Sequence, residues 1–462
     1  MADMTSPRTA MPHLDPVERA THFEEVALGY TPEMAMAEAR RCLDCRHKPC
    51  VYGCPVNVRI PEFIMKVVEG DFEGAYHIIA STNGMPAISG RVCPQETQCE
   101  ARCVRGIKAE PVAIGRLERF VADWYLEHHQ ESPTPQQPPN GHRVAVVGAG
   151  PAGLTCAYEL AQQGCGVTLY EAFHTIGGVL VYGIPEFRLP NSIVERTEAD
   201  LRALGVQIET NMVVGRVCNL DELFAQGFDA IFLATGAGLP VFMGIPGEGL
   251  AGVYSANEYL TRTNLMKGWR AEYDTPLIRS RQVAVVGGGN VAMDAARCAR
   301  RTGAEVHVIY RRGREEMPAR AEEVEHAMEE GIHFHFLTNP TCVLNDGTGR
   351  TRGLNCIRME LGEPDEQGRR RPVEVPGSDF EMELDTVIMA LGTSPNPVIR
   401  LADENLTLNR HGCFVVDEST LQTSREGVYA GGDAVTGAAT VILAMGAGRT
   451  AAQSILEYLK QK

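Results

Sequence analysis

The sequence predicts an α/β protein with an N-terminal α-helical domain followed by two Rossmann-like dinucleotide-binding domains. Three observations carry this. Arg143–Val147 and Gln282–Val286 are short, β-branched apolar runs, each followed at once by glycines. A strand running into a glycine-rich turn and then a helical pattern opens a nucleotide-binding βαβ unit. The segments RVAVVGAGPAGLTCAYELAQQGCGVTLYE and QVAVVGGGNVAMDAARCARRTGAEVHVIYRR align without gaps through strand, turn, helix and second strand, an internal duplication. Residues from about 20 to 128 instead place apolar side chains at helical spacing.

In chain order, TPEMAMAEARRCLDC opens a helix on a Thr–Pro start. Ile60 to Ile79 and Ala113 to Tyr125 read as further amphipathic helices. The helical domain is expected over 1–128. HHQESPTPQQPPNGH is polar and proline-rich, which makes 129–142 a linker. The first nucleotide-binding domain is expected over 143–250 and resumes over 393–462, with the second, 251–392, inserted. Short strands in TVIMALG and VYAGGDA precede a closing helix from about Ala439 to Leu459.

Composition narrows the function. Apolar residues are 44% and charged residues 22% of the 462, ordinary for a soluble globular protein. A net charge of −16 leaves no basic surplus for phosphates, which argues against nucleic acid as a partner. No run of 18 apolar residues exists to cross a membrane. The N-terminus lacks the apolar core of a secretory signal, so a cytoplasmic location is expected.

In the first unit, Gly148 permits the tight turn, Gly150 lets backbone approach a pyrophosphate, and Gly153 allows close helix–strand packing, with Ala152 between them. Glu171 ends the second strand, placed for ribose hydroxyls. The second unit has Gly287, Gly289, Asn290 and Val291, but Tyr310 stands where Glu171 stood, followed by Arg311 and Arg312. An acid there would repel a 2′-phosphate and arginines would bind it. The alternative is that these arginines face solvent or pair with Glu315 and Glu316. FAD in the first unit and NADP(H) in the second is the economical assignment. Thr235 and Gly236 in ATG, Gly392 in ALG, and Gly432 and Asp433 in YAGGDA follow strands in the order found in two-dinucleotide flavoprotein disulfide reductases, which this arrangement resembles. No Cys-x-x-Cys lies in either nucleotide-binding domain. The electrons must therefore leave by another route.

Of 14 cysteines, seven lie between Cys42 and Cys103. They read C42-LD-C45-RHKP-C50-VYG-C54-P, then C93-PQETQ-C99-EAR-C103. Thiolates suit zinc and iron–sulfur clusters alike, but structural zinc sites show two short pairs, which this spacing does not. Clusters are favoured over zinc or free thiols. Seven cysteines cannot fill two four-ligand sites, so an eighth ligand is needed.

RCLDCRHKPCVYGCPVNVRIPEFI, SGRVCPQETQCEARCVRG, VAVVGAGPAG, GGVLVYGIPEFRLP and YRRGREEMPA together make this chain resemble the glutamate synthase small-subunit family. That family includes the large subunit of flavin-bifurcating NADH-dependent ferredoxin:NADP oxidoreductase, the N-terminal half of dihydropyrimidine dehydrogenase, and sulfide dehydrogenase-like subunits. The resemblance runs from about residue 20 onward and implies two 4Fe-4S clusters. By resemblance, Cys54, Cys93, Cys99 and Cys103 hold one. Cys42, Cys45 and Cys50 hold the other, with Glu118 as fourth ligand. Otherwise Glu118 is a solvent-facing acid paired with Arg105 or Lys108. The resemblance also places Gly178 and Leu180 against the FAD and sends Arg188 to its phosphates or a partner cofactor, the alternative being a surface salt bridge.

The function these features imply is an NADP(H)-linked FAD and iron–sulfur oxidoreductase that passes single electrons to a second redox subunit or ferredoxin in a hetero-oligomer. Hydride transfer to a flavin needs orientation rather than an acid–base side chain, so no catalytic residue is named. SANEYLTRTNLMKGW and HFEEVALGYTPEMAMAEA favour the bifurcating transhydrogenase-type large subunit. A glutamate synthase small subunit and a sulfide dehydrogenase-type subunit are the alternatives. A redox-sensing iron–sulfur scaffold is a reading of another class, but a sensor needs neither nucleotide site.

Overall fold

The computed structural model describes residues 6–129, 133–364 and 370–462. Helix α1 (Pro32–Ala39) starts where Thr31 accepts a hydrogen bond from the Met34 N–H, with proline at its first position. The expected helix over 60–79 divides into α2 (Ile60–Glu69) and α3 (Phe72–Ala80). Gly70 turns left-handed at φ 78°, and the Asp71 carboxylate accepts from the Gly74 N–H at 2.9 Å to cap α3. Helices α4 (Pro86–Val92) and α5 (Ile114–His128) complete the helical layer. Phe63, Ile64, Val67, Ile79, Ile88, Leu117 and Val121 are buried between these helices. Between α4 and α5 the chain runs through three short 3₁₀ turns instead of a helix.

The first parallel sheet contains β1 (Arg143–Val147), β2 (Gly166–Tyr170), β3 (Gln207–Glu209) and β4 (Ala230–Leu233), with α6 (Pro151–Gln162) crossing from β1 to β2. The second contains β5 (Val253–Ser255), β6 (Gln282–Val286), β7 (Glu305–Tyr310) and β8 (His333–Phe336), with α7 (Asn290–Arg301) crossing from β6 to β7 and α8 (Ala321–Glu329) preceding β8. An antiparallel sheet not foreseen in the sequence follows: β9 (Thr338–Asn345), β10 (Thr351–Pro364), β11 (Arg370–Glu374) and β12 (Phe380–Glu383). Then β13 (Thr386–Met389) returns to the second sheet, giving the order β5-β13-β6-β7-β8. The last strand, β14 (Val428–Ala430), joins the first sheet as β14-β4-β1-β2-β3. Helix α9 (Val441–Leu459) closes the chain against α6. Each sheet thus switches direction beside its first β-strand of the βαβ unit, which leaves a crevice at the carboxyl ends of β1 and β6.

A buried charge network joins the helical region, the loop at Phe187 and α7. Arg19 contacts Glu330 at 3.1 Å, and Arg297 and Arg301 contact it at 2.7 Å each. The Arg297 and Arg301 guanidiniums lie 4.6 and 3.9 Å from the Phe187 ring centroid. No helix among the described residues is long and apolar enough to cross a membrane.

Candidate redox-cofactor sites

The two glycine turns are built alike. A Cβ on Gly148, at φ 103°, would stand 2.3 Å from the Ala234 carbonyl oxygen. A Cβ on Gly287, at φ 145°, would stand 2.3 Å from the Ala390 carbonyl oxygen. Only glycine fits either position, and the alanines belong to the ATG and ALG segments singled out in the sequence. Gly150 and Gly289 instead face open space, with nothing within 4 Å of where a Cβ would stand. These are the places where phosphates approach a helix N-terminus, and the cradles fit a dinucleotide.

In the first crevice, Glu171 accepts from the Ala149 N–H and the Phe173 N–H, both at 2.9 Å. Burial raises its carboxyl, against those backbone bonds. Burial pushes Asp433 up to about 6, opposed by the Ala439 N–H. Tyr182, which sequence reasoning missed, is held at about 12 by burial and by the charges of Asp433 and Glu171. Tyr182 thus lies within electrostatic reach of both carboxyls. Gly178 lies against Gly150, while Gly236 and Gly432 turn left-handed at φ 66° and 65°, with Thr235 half-buried beside Gly236. Ala152 is buried at the start of α6. Leu180 is a correction: it is wholly enclosed in the core and presents no open face to a flavin.

Arg188 is a second correction. Its Nη1 binds both Asp294 carboxylate oxygens at 2.7 and 2.8 Å, and its Nε lies 3.0 Å from Glu323. The Pro185–Leu189 turn lays this side chain on α7 rather than in the first crevice, so it ties the two nucleotide-binding halves together. A buried arginine with two carboxylate partners is not available to phosphates.

In the second crevice, Asn290 accepts from the Arg320 N–H at 2.9 Å, and Val291 is 41% exposed at the start of α7. The Tyr310 ring lies against Gly288, and its hydroxyl donates to the Glu316 carbonyl. Gly392 turns at φ 99° over open space. Arg311 is exposed, and neither it nor Arg312 forms an ion pair with Glu315 or Glu316 among the described residues. Arg312 Nε is buried without a hydrogen-bond partner among them. The Arg312 guanidinium also lies beside the Tyr310 hydroxyl, which puts both arginines at the end of the second β-strand of this unit.

None of the 14 cysteines is in a disulfide. The structure sorts seven of them differently from the sequence expectation. Cys42, Cys45, Cys50 and Cys103 line one small pocket. Burial pushes Cys42 to about 11 and Cys50 to about 12, and the neighbouring thiols, Cys103 among them, add to it. Cys54, Cys93 and Cys99 lie apart from these. Burial raises all three thiols and the Glu118 carboxylate adds to each, after Glu100 in the case of Cys99. Cys103 and Glu118 thus exchange places relative to expectation. The 3₁₀ turn Glu100–Arg102 reverses the chain between Cys99 and Cys103 and projects Cys103 to the outer set. Glu118 receives hydrogen bonds from Ser89 and Asn83 and is raised by burial to about 7, so it is not the solvent-facing partner of Arg105 or Lys108. Each set offers four soft or anionic donors, which suits a 4Fe-4S cluster.

The inner set borders the first nucleotide-binding half. Pro55, next to Cys54, lies 3.5 Å from where a Cβ on Gly446 of α9 would stand, and Arg449 of α9 donates to the Ser81 carbonyl. Arg320, at the N-terminus of α8, reaches to the cysteine region, donating to the Arg91 carbonyl and the Gln95 side chain.

Comparison with known proteins agrees with this architecture. The family described as pyridine nucleotide-disulphide oxidoreductase matches residues 142–448. The chain belongs to that family, and within it to the glutamate synthase small-subunit group. The family described as dihydropyrimidine dehydrogenase domain II, 4Fe-4S cluster, matches residues 19–130. This is a pyridine-nucleotide-dependent oxidoreductase with a 4Fe-4S domain ahead of its FAD/NADP-type fold. The NADPH glutamate synthase small chain of Halomonas elongata is 36% identical over 96% of this chain and 94% of that one. The NADP(+)-dependent formate dehydrogenase subunit beta of Moorella thermoacetica is 41% identical over 89% of this chain, which spans 60% of that relative's length. Mycobacterium tuberculosis FprA in complex with NADPH shares the fold at a TM-score of 0.57 and 19% identity, over 70% of this chain and 86% of that one.

Proposed function

We propose that this chain is the NADP(H)-oxidising subunit of a hetero-oligomeric redox enzyme, delivering single electrons outward through two 4Fe-4S clusters. The observation that carries this reading is the pair of four-donor sets, inner and outer, set beside a flavin-type crevice that has no cysteine pair of its own. FAD supplies the conversion of a two-electron hydride donor into one-electron steps. In this reading 143–250 and 393–462 hold FAD, 251–392 holds NADP(H), 129–142 is the linker, and 1–128 holds the clusters. Gly148, Gly150 and the N-terminus of α6 bind the FAD pyrophosphate, and Glu171 and Asp433 orient its sugar portions. Gly287, Gly289 and Asn290 seat the second pyrophosphate, and Arg311 and Arg312 take the 2′-phosphate. Cys42, Cys45, Cys50 and Cys103 hold the outer cluster. Cys54, Cys93, Cys99 and Glu118 hold the inner one.

The partner in this proposal is a second flavin or iron–sulfur subunit of a bifurcating transhydrogenase type, in the cytoplasm, as SANEYLTRTNLMKGW and HFEEVALGYTPEMAMAEA suggest. A second reading, the small subunit of a glutamate synthase, is favoured by the collinear match to the Halomonas small chain over 94% of its length. Anaerobic titration with NADPH tests the shared core. The flavin absorbance near 450 nm should bleach and a viologen should be reduced; a flavin that stays oxidised under excess NADPH would sink the proposal. The partner that co-purifies from the native host decides between the two readings.

A further inference from the structure

A cavity of about 380 Å³ opens between the N-terminal segment, α4 and α5 on one side and α7 and α8 on the other, and neither a glycine turn nor a cysteine lines it. His13, Glu322 and His326 meet on its wall. One ligating atom of each lies within 4.8 Å of those of the other two. The two imidazole rings pack edge to face with centroids 4.7 Å apart. His13 Nε2 stands 3.5 Å from Glu322 Oε1 and is buried with no hydrogen-bond partner among the described residues. Left so, that nitrogen costs stability, and a metal ion is a partner that would satisfy it.

The three side chains come from backbone that is already fixed. Glu322 and His326 are four residues apart on α8, so they share one face of it. His13 arrives from the opposite wall. There the Leu14 N–H donates to the Val26 carbonyl and the Leu28 N–H to the Pro12 carbonyl, which pairs His13 with Ala27. Two imidazoles and one carboxylate make the donor set of zinc sites with three protein ligands and an open fourth position. Ligand atoms about 2.1 Å from a tetrahedral ion stand about 3.4 Å apart. The His13–Glu322 separation already matches that spacing. No other separation in the group exceeds it by more than about 1.4 Å, which side-chain rotation can close.

The local charge leaves room for a cation. Glu322 Oε2 accepts from Arg320 at 3.0 Å, whereas Oε1 takes a longer contact of 3.3 Å from Arg116. Arg116 also donates to the Thr9 carbonyl at 3.1 Å, so it keeps a partner when Oε1 turns to an ion. His326 feels the charges of Arg297 and Arg19, but also those of Glu323 and Glu322. As many glutamates as arginines line the cavity as a whole.

We propose that His13, Glu322 and His326 bind a zinc-class divalent ion, with a water of the cavity as fourth ligand, and that the ion pins the N-terminal segment to α8. The proposal does not depend on the route the electrons take.

The test uses the anaerobically purified holoprotein, treated with a mild chelator and titrated with Zn²⁺ in a calorimeter. The parent should bind one equivalent with its iron content unchanged. Zinc-edge X-ray absorption should then show nitrogen and oxygen neighbours at about 2.0–2.1 Å with imidazole scattering, and not sulfur at about 2.3 Å. Loss of an outer-shell partner alone weakens a metal site about 10–100-fold, so His13→Ala and Glu322→Gln should each weaken Zn²⁺ binding at least that much. Zn²⁺ should raise the thermal midpoint of the parent and leave that of His13→Ala where it was. Both variants should keep the far-ultraviolet dichroism and iron content of the parent. A parent that binds no Zn²⁺, equal affinity in the parent and His13→Ala, or a sulfur shell around the zinc would each overturn the proposal.

Discussion

The Ser89 hydroxyl donates to Glu118 Oε1 at 2.5 Å, and Asn83 Nδ2 donates to the same oxygen at 3.0 Å. One carboxylate oxygen is thereby fixed by two donors, and Oε2 has no hydrogen bond among the described residues. Supporting hydrogen bonds of this kind orient a ligand for its metal. Glu118→Ala should therefore lose about half of the iron and acid-labile sulfide, with the outer cluster retained. Glu118→Cys should restore much of the iron but shift the reduced-state paramagnetic resonance of the inner cluster. Iron analysis and low-temperature resonance spectra check both outcomes. An Ala variant with full iron content would remove Glu118 from the ligand set.

Gly150 and Gly153 differ in what a side chain would meet. A Cβ on Gly153 would come within 1.9 Å of the Gly148 carbonyl oxygen, whereas one on Gly150 would meet nothing within 4 Å. Gly150→Val should leave the apo fold intact and block the phosphate approach. The expected result is a protein with normal far-ultraviolet dichroism and iron content but little absorbance at 450 nm. Gly153→Val should instead lower soluble yield through overpacking.

Arg311 and Arg312 predict the nicotinamide preference. Hydrogen bonds to a charged group are worth about 1.5–3 kcal/mol, or roughly tenfold to a hundredfold in binding. Replacing both with serine should raise KM for NADPH by that factor and leave KM for NADH within about threefold. Steady-state kinetics with a viologen acceptor measure both. Equal losses with the two cofactors would mean that the arginines support the fold rather than the 2′-phosphate.

The nucleotide-binding units were legible because their signal is local. Strand, glycine turn and helix lie within about 30 residues, and backbone sterics at Gly148 and Gly287 demand glycine whatever surrounds them. The seven cysteines stood out as one group for the same reason. Their partition was not, because it depends on a 3₁₀ turn of three residues between Cys99 and Cys103 that no periodicity announces. Arg188 was misread on similar grounds: its partners, Asp294 and Glu323, lie 106 and 135 residues away, and only tertiary packing brings them together. The antiparallel sheet from Thr338 to Glu383 was missed although Asp346-Gly347 marks the turn between its first two strands, because the charged residues along Thr351–Pro364 weaken the apolar alternation that would read as a strand.

The network centred on Glu330 makes stability depend on pH in a defined direction. Burial alone would raise Glu330, but Arg297 and Arg301 overcome it and hold the carboxyl at about 2, against an ordinary 4.5. Glu323 is likewise held at about 2 against its burial, by Arg188 and Arg297. Depressed carboxyls contribute stability that is present above pH 4.5 and lost as pH falls through about 2. His326 is pushed down to about 4 from 6.5, first by burial and then by Arg297. Its neutral form is the one the fold accommodates, so its contribution falls as pH drops from 6.5 towards 4. All three effects have the same sign. Removing one partner of a buried pair costs about 3–5 kcal/mol because the remaining charges are left uncompensated. Glu330→Gln should therefore lower the thermal midpoint markedly at pH 7, and the gap to the parent should shrink as pH falls below 4.5. Following the difference between parent and variant, rather than either curve alone, separates this group from acid loss of the clusters. A gap that stays constant from pH 7 to pH 3 would show that the Glu330 carboxylate does not contribute through its charge.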